Sequence, residues 1–303
     1  MNSDFTFYLS RYSFEILASL PYFAGVSLFG LFLILRRSSL FGVVLSQSAQ
    51  LSFLIGAALH FQTHSGAFDL INRTSSRNLS VELFHLDLYV LPISVLFLLP
   101  FLYLSRKSLK NAESTLLVLF VILAGSMPLV HKILGGNDST LLKVYFSEIL
   151  YTPPDMFLFY LPHIFLSCVL LFIFYPGILL SGYDPIQARL SGYSVSRYNY
   201  LYYFLTLIIL SSSIKVLGIY VSIAAMLAPA MAALSFTRSM RSTIILTISF
   251  SLFLAIGGFA TAFIFDNYPA EPIIILVITL GSFIVRFTVI SISKFKNIQS
   301  RLG

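Results

Sequence analysis

The sequence predicts an all-α fold, a polytopic bundle of about eight or nine membrane-spanning helices. Of the 303 residues, 57% are hydrophobic and only 10% are charged, against about 25% charged residues in soluble domains. The apolar runs are about 20 residues long, as a helix needs to cross a hydrocarbon layer of roughly 30 Å. A lipid-embedded backbone must satisfy its own hydrogen bonds, and the alternating pattern of membrane barrels is absent. Residues 1–303 are therefore predicted to form one transmembrane domain.

Nine apolar runs define the predicted spans. The Arg36-Arg37 pair separates the first two runs, and the polar residues 62–86 after the second are predicted to form an external loop. The stretch 200–235 is long enough for two spans, and we place the break between them near Ser211, Ser212 and Ser213. In chain order the runs are 14–35, 39–61, 87–105, 114–134, 156–181, two within 200–235, 243–265 and 272–292.

Basic residues concentrate on one side of these spans. The net charge is +7, and 12 of the 19 Lys and Arg residues fall on the side of the Arg36-Arg37 turn, in groups of two, three, two, two and three. Six fall on the opposite side, and Arg286 lies within the last span. The positive-inside rule makes the Arg36-Arg37 side cytoplasmic and places the N-terminus outside. This distribution explains the positive charge without a nucleic-acid partner.

Motifs for nucleotide or cofactor chemistry are absent from the sequence. It has no GxxxxGK[ST] loop, no H-E-x-x-H pair and no paired cysteines, which are the patterns that hold phosphates and metals. We therefore expect this chain to bind no cofactor and to be no enzyme itself.

Residues 182–197 form the most informative polar segment. Asp184 suits a helix N-cap, Pro185 suits the first helical position, and Gly192 can end the helix in a left-handed conformation. A short, stiff helix on the cytoplasmic side is predicted here. It is either an ordinary capped loop helix or a coupling helix that docks into a groove on a motor protein.

Five segments resemble one family in the same order and spacing, over about residues 26–287. The coupling segment reads Tyr-Asp-Pro-x-x-Ala-Arg-x-x-Gly at 183–192, which resembles the cytoplasmic coupling segment of the zinc/manganese/iron (ABC-3 type) metal ABC transporter permeases. The other similar segments are 35–42, 146–150, 215–219 with the Ala-Pro-Ala at 228–230, and 269–276. Each motif alone is weak, whereas five in order are specific.

The resemblance implies a function, a location and partners. The chain is expected to form the translocation path of an ATP-driven importer for zinc, manganese or iron in a prokaryotic cytoplasmic (inner) membrane. The implied partners are cytoplasmic ABC ATPases that use ATP, a second permease copy, identical or related, and an external metal-binding protein. The implied ATPase-coupling residues are Tyr183, Asp184, Pro185, Ala188, Arg189 and Gly192.

One departure from the family concerns the second span. The family usually reads F-G-D-A-L-S-H-A there, with Asp and His as metal ligands, whereas this chain has Val43 and Gln47 at those two positions. Valine cannot bind a metal, and an amide is a poor ligand for a transition metal. The candidate substrate-path residues are therefore Val43, Ser46, Gln47 and Gln50. Helix–helix hydrogen bonding explains these polar groups equally well.

A possible external metal site is formed by four residues around the second and third spans. They are His60, His64, His85 and Asp87. Imidazole and carboxylate groups suit zinc and manganese, so the four residues are candidates for metal capture if they converge. Histidines at a membrane interface are also common without such a role.

Two alternatives to a metal importer stay open. The first is a permease of the same architecture that moves another solute, which the Val43 and Gln47 positions permit. The second is a secondary transporter, a class that usually carries carboxylates at broken helices near the midplane. In this chain the carboxylates closest to the predicted spans lie near span ends, which counts against a secondary transporter. They are Glu15, Glu148, Asp155, Asp266 and Glu271.

Overall fold

The computed structural model describes residues 10–63, 87–97, 99, 109–133, 149–237, 239–265 and 268–302. Within these residues every regular element is a helix. Residues 62 and 63 of the predicted loop 62–86 belong to a helix, and residues 64–86 lie outside the described residues, as do Glu148 and Asp266. The helices are α1 Ser13–Leu35, α2 Ser39–Thr63, α3 Asp87–Phe97, α4 Leu109–Ile133, a 3-10 turn Ile149–Tyr151, α5 Pro154–Ile173, α6 Tyr175–Tyr183, α7 Pro185–Leu190, α8 Val195–Leu217, α9 Ile219–Ala233, α10 Met240–Ile264 and α11 Ala270–Leu302.

The predicted helical bundle is confirmed. Seven of the described helices, α1, α2, α4, α5, α8, α10 and α11, are long and apolar enough to cross a membrane, and α3 and α9 are shorter apolar helices. These nine helices correspond to the nine apolar runs in the sequence. The chain is therefore a multi-pass membrane protein.

Helices α1, α2 and α8 form the centre of the bundle. In an apolar 18-residue stretch of each of these spans 72% of the residues are buried, whereas the corresponding stretches of α4, α5 and α11 have only 17–28% buried. Helix α1 packs against α9, α10, α5 and α8. The peripheral helices expose large apolar side chains such as Phe165, Leu166, Phe283 and Phe287, which suits contact with lipid tails.

A close backbone approach joins α1 to α9. A Cβ atom built on Gly30 would lie only 1.6 Å from the carbonyl oxygen of Met226. The same methionine reaches α2, because a Cβ on Gly42 would lie 2.7 Å from Met226 Cε. Small residues let helix backbones approach in membrane proteins, so the two glycines fix how α1, α2 and α9 pack together.

The predicted helix break at Ser211–Ser213 is wrong. The three serines are buried inside α8. The helix ends instead at Gly218, whose φ of 80° lies in a region that residues other than glycine rarely adopt. The hydroxyls of Ser212 and Ser213 donate to the carbonyl oxygens four residues earlier, at 2.9 and 2.7 Å. Serine can satisfy itself in this way inside an apolar helix, so a serine cluster does not end one.

The run predicted at 156–181 is divided in two. Helix α5 ends at Ile173, and α6 begins at Tyr175 with Pro176 in its first turn. Proline suits this position because the first turn has no intrahelical partner for its N–H. The short helix α6 leads directly into the predicted coupling segment.

Candidate coupling segment and translocation path

The N-terminus of α7 is capped as the sequence predicts. The Asp184 carboxylate accepts hydrogen bonds from the backbone N–H groups of Ile186 and Gln187, each at 3.0 Å. Pro185 is the first helical residue. The cap satisfies two of the N–H groups that a helix start leaves without partners.

The C-terminus of α7 closes in a Schellman motif. Gly192 is left-handed at φ 82°. The N–H of Tyr193 donates to the Ala188 carbonyl at 2.9 Å, and the N–H of Gly192 donates to the Arg189 carbonyl at 3.1 Å. This is the pair of bonds that defines the motif. Because both ends are capped, the six-residue helix is a stiff unit.

One face of α7 is apolar and exposed. Ile186 and Leu190 are 73% and 84% exposed, and Tyr183 at the end of α6 is 73% exposed. Pro185 and Arg189 are also exposed. Ala188, predicted as a partner contact, is fully buried within this chain, so it seats α7 on the helical bundle.

Arg36, the residue that follows α1, binds both helices that flank α7. Its guanidinium donates to the Asn199 Oδ1 atom of α8 at 2.8 Å. It also donates to the Ile178 carbonyl and the Ser181 Oγ atom of α6, at 2.5 and 3.1 Å. Hydrogen bonds from a charged donor are about twice as strong as neutral ones, so Arg36 ties three helices together.

The Arg36 side chain is further held by an aromatic ring and a glycine. Its guanidinium carbon lies 4.1 Å from the ring centroid of Tyr202. A Cβ on Gly182 would lie 2.3 Å from Arg36 Cγ, so the arginine stem occupies the space that any other residue would need. Burial lowers the pKa of Arg36 from its ordinary value, but an arginine remains protonated in a protein. The sequence identified Arg36 as a topology signal and as part of the family-like segment 35–42, but not as a contact between helices.

The candidate path residues lie on α2. Val43 is half-buried, and Ser46, Gln47 and Gln50 are buried. The Ser46 hydroxyl donates to the Val43 carbonyl within α2, at 2.7 Å. The Gln47 Oε1 atom has no hydrogen-bond partner among the described residues. The Gln47 side chain therefore has acceptor capacity left for a solute or a partner subunit.

A buried ion pair lies at the opposite end of the bundle, which is predicted to be external. Lys215, in the last turn of α8, pairs with Asp87 at the start of α3, and both side chains are at least 91% buried. The Tyr160 hydroxyl donates to the same Asp87 oxygen at 3.4 Å. The Lys215 ammonium lies 4.7 Å from the Tyr160 ring centroid. Buried charges require such partners.

Of the four residues of the predicted external metal site, the structure describes only the side chain of Asp87. The carboxylate predicted as a metal ligand is bound to the Lys215 ammonium, which opposes a metal cation at that place. His60 belongs to α2 but its side chain lies outside the described part of the chain, as do His64 and His85. The described residues contain no group of three His, Cys, Asp or Glu suited to hold a metal. The missed signal was a lysine near the end of a long apolar run.

Two further hydrogen bonds at this end connect parts of the chain that are distant in sequence. The Glu271 carboxylate, in the first turn of α11, accepts from the backbone N–H of Ile149 at 2.9 Å. The Thr152 hydroxyl donates to the Val216 carbonyl at 3.4 Å. Ile149 thus contacts the start of α11, and Thr152 contacts the end of α8.

A bundle of apolar helices that carries a stiff, capped helix at one end defines a multi-pass membrane protein. The chain matches the ABC 3 transport family over residues 15–289 and belongs to that family. This confirms the family resemblance drawn from the five segments.

Relatives and solved structures agree with this membership. The manganese transport system membrane protein MntC of Listeria monocytogenes is 30% identical over 112 residues, which are 37% of this chain and 40% of that protein. MntC of Halalkalibacterium halodurans is 26% identical over 112 residues, 37% of this chain and 38% of its own length. The PsaBC structure from Streptococcus pneumoniae in complex with Fab has a TM-score of 0.67 at 21% identity, covering 94% of this chain and 95% of that one. The last likeness concerns the fold.

Proposed function

We propose that this chain is the permease subunit of an ATP-driven importer for divalent metal ions, with zinc, manganese and iron as the candidate ions. Its family and the manganese transport proteins among its relatives support this function. In this proposal two permease copies form the translocation path, separate cytoplasmic ATPases hydrolyse ATP, and an external protein delivers the metal. The membrane is the prokaryotic cytoplasmic membrane.

The geometry of α7 is the observation that carries the proposal. Its two capped ends make it stiff, Ala188 seats it on the bundle, and Ile186 and Leu190 project from it. Apolar side chains this exposed at a membrane protein's aqueous end suit a hydrophobic groove on a partner. A cytoplasmic ATPase that changes shape on binding ATP would press on this helix.

Charge and polarity changes on the exposed face of α7 test the docking. Arg189→Glu and Leu190→Asp are expected to weaken binding of the ATPase at least tenfold, as for interface anchor residues, with insertion of the permease unchanged. The matched control is Tyr268→Asp, an equally exposed residue at the opposite end. Co-purification with the ATPase measures the effect. Full retention of the ATPase by both α7 variants would refute the docking site.

The metal route requires an account of Val43 and Gln47. A bare divalent ion must exchange part of its hydration shell for protein ligands, because a naked charge in a low-dielectric path is expensive. Two identical chains would offer only amides and hydroxyls at this level of the path. We favour a related, non-identical partner permease that supplies the Asp and His. The external-cluster explanation is weaker because Asp87 is bound to Lys215.

Restoring the family residues tests this account. Val43→Asp with Gln47→His is expected to raise manganese affinity of the purified chain if this face of α2 lines the path. Ser48→Asp with Ser52→His is the control, because both serines are buried on α2 and donate to carbonyls within the helix. Equilibrium binding of Mn²⁺ provides the measurement. Tight, selective Mn²⁺ transport by a homodimeric wild-type complex would refute the need for a partner permease.

A second candidate function is transport of a different solute by the same architecture. The neutral Val43 and Gln47 pair favours it, since such a path suits a polar solute without a strong demand for anionic ligands. In that case the wild-type complex would be inert to zinc, manganese and iron while its ATPase still docks at α7.

A further inference from the structure

The geometry points to Arg36 as the positioning residue that transmits movement of α7 to the path helix α2. This inference rests on the proposed function, because it assumes that an ATPase moves α7. It concerns a residue outside both the docking face and the candidate path.

Arg36 contacts both sides of the α7 segment. Helix α6 precedes α7 and supplies the Ile178 carbonyl and Ser181 hydroxyl, while α8 follows α7 and supplies Asn199 and the Tyr202 ring. Any displacement of α7 must shift at least one of these flanking helices. Arg36 then either moves with them or loses acceptors, and a half-buried cation that loses its acceptors costs free energy.

On its other side Arg36 is attached to α2 by a tight turn. Arg37 is left-handed at φ 55°, the Ser38 N–H donates to the Leu33 carbonyl at 2.9 Å, and the Phe41 N–H donates to the Ser38 carbonyl at 3.0 Å. Helix α2 begins at Ser39. Movement of Arg36 therefore reaches Val43 and Gln47 through two turns of one continuous helix.

The neighbouring arginine shows why topology alone does not explain Arg36. Arg37 is exposed, as expected for a basic residue on the predicted cytoplasmic side. Arg36 is turned inward and meets only neutral groups, with no carboxylate partner among the described residues. A planar guanidinium can bind three separate acceptors at once, whereas a lysine is a compact point charge. The site requires the arginine fork and not merely a positive charge.

The test compares coupling in Arg36 and Arg37 variants. The permease is reconstituted with its ATPase and permease partner in liposomes, and Mn²⁺ uptake is measured per ATP hydrolysed. Loss of the charged hydrogen bonds in Arg36→Gln is expected to lower uptake per ATP about tenfold, with hydrolysis held within about twofold. Arg36→Lys should fall between this variant and wild type. The control Arg37→Gln should match wild type.

A second variant keeps the test decisive if Arg36→Gln does not assemble. Asn199→Ala removes one acceptor and leaves those on α6, and it should lower uptake per ATP by a smaller factor. In the double variant the two effects should be less than additive, as for residues in one network. An unchanged ratio in both single variants would overturn the inference. So would a parallel fall of uptake and hydrolysis in both, which a merely structural role produces. Absence of Mn²⁺ uptake by the wild type would instead refute the proposed function.

Discussion

The two ends of the bundle, predicted to be external and cytoplasmic, stabilise a cation in different ways. At the external end Lys215 meets the carboxylate of Asp87. At the cytoplasmic end Arg36 meets a carbonyl, a hydroxyl, an amide and an aromatic ring. When one member of an ion pair moves away, the whole interaction is lost. A cation held by several neutral acceptors can exchange one acceptor while it keeps the others. We therefore interpret the external end as a fixed closure and the cytoplasmic end as a joint between helices that can move.

The orientation of the two ends is the first property to test, because its outcome is all-or-none. In a Cys168→Ser background, Gln187→Cys on α7 should react with an impermeant thiol reagent only from the cytoplasmic side. Tyr268→Cys should react only from outside. Both positions are exposed, and Cys168 is a free cysteine. Reaction of residue 187 only from the outside would show that the membrane orientation is the reverse of the predicted one.

The largest effect on stability is expected at the external end. Lys215→Met leaves Asp87 as a lone buried carboxylate and should lower the free energy of unfolding by about 3–5 kcal/mol. Adding Asp87→Leu should recover most of this loss, because a well-packed apolar pair can replace a buried ion pair. Denaturant unfolding in detergent micelles measures both variants. Lys132→Met, at an exposed lysine, is the control, and an equal loss there would contradict the role of the pair.

A smaller loss is expected at the cytoplasmic end. Arg36→Leu removes a charged donor from three acceptors, and water can reach this partly buried site. The free energy of unfolding should fall by about 1–3 kcal/mol in the same assay. If Arg36→Leu proved more destabilising than Lys215→Met, the distinction between a fixed closure and a joint would fail.

The smallest loss of stability is expected for removal of the Tyr160 hydroxyl beside the ion pair. Tyr160→Phe keeps the ring near Lys215 but removes the hydroxyl that donates to Asp87. We expect a loss of about 0.5–1.5 kcal/mol, the usual contribution of one hydrogen bond. Tyr268→Phe, at an exposed position, should be neutral. A loss as large as that of Lys215→Met would mean that the Tyr160 hydroxyl stabilises this site as much as Lys215 does.

Local chemistry explains which features the sequence could predict. The nine apolar helices follow from the apolar runs. The caps of α7 follow from Asp184, Pro185 and Gly192, because each residue acts within its own turn. The break at Gly218 was missed because serines satisfy themselves inside α8. The Asp87–Lys215 pair joins residues 128 positions apart, and Arg36 meets Asn199 across 163. Such contacts depend on helix packing, which no local pattern encodes.

The most direct test of the whole account is ATP-driven uptake by a defined complex. Liposomes that contain the permease pair and the ATPase are compared with liposomes that contain the permease pair alone, each with Mn²⁺ supplied by the external binding protein. The account predicts Mn²⁺ accumulation that requires both ATP and the ATPase. Accumulation by the permease alone, driven by a proton gradient without ATP, would contradict it.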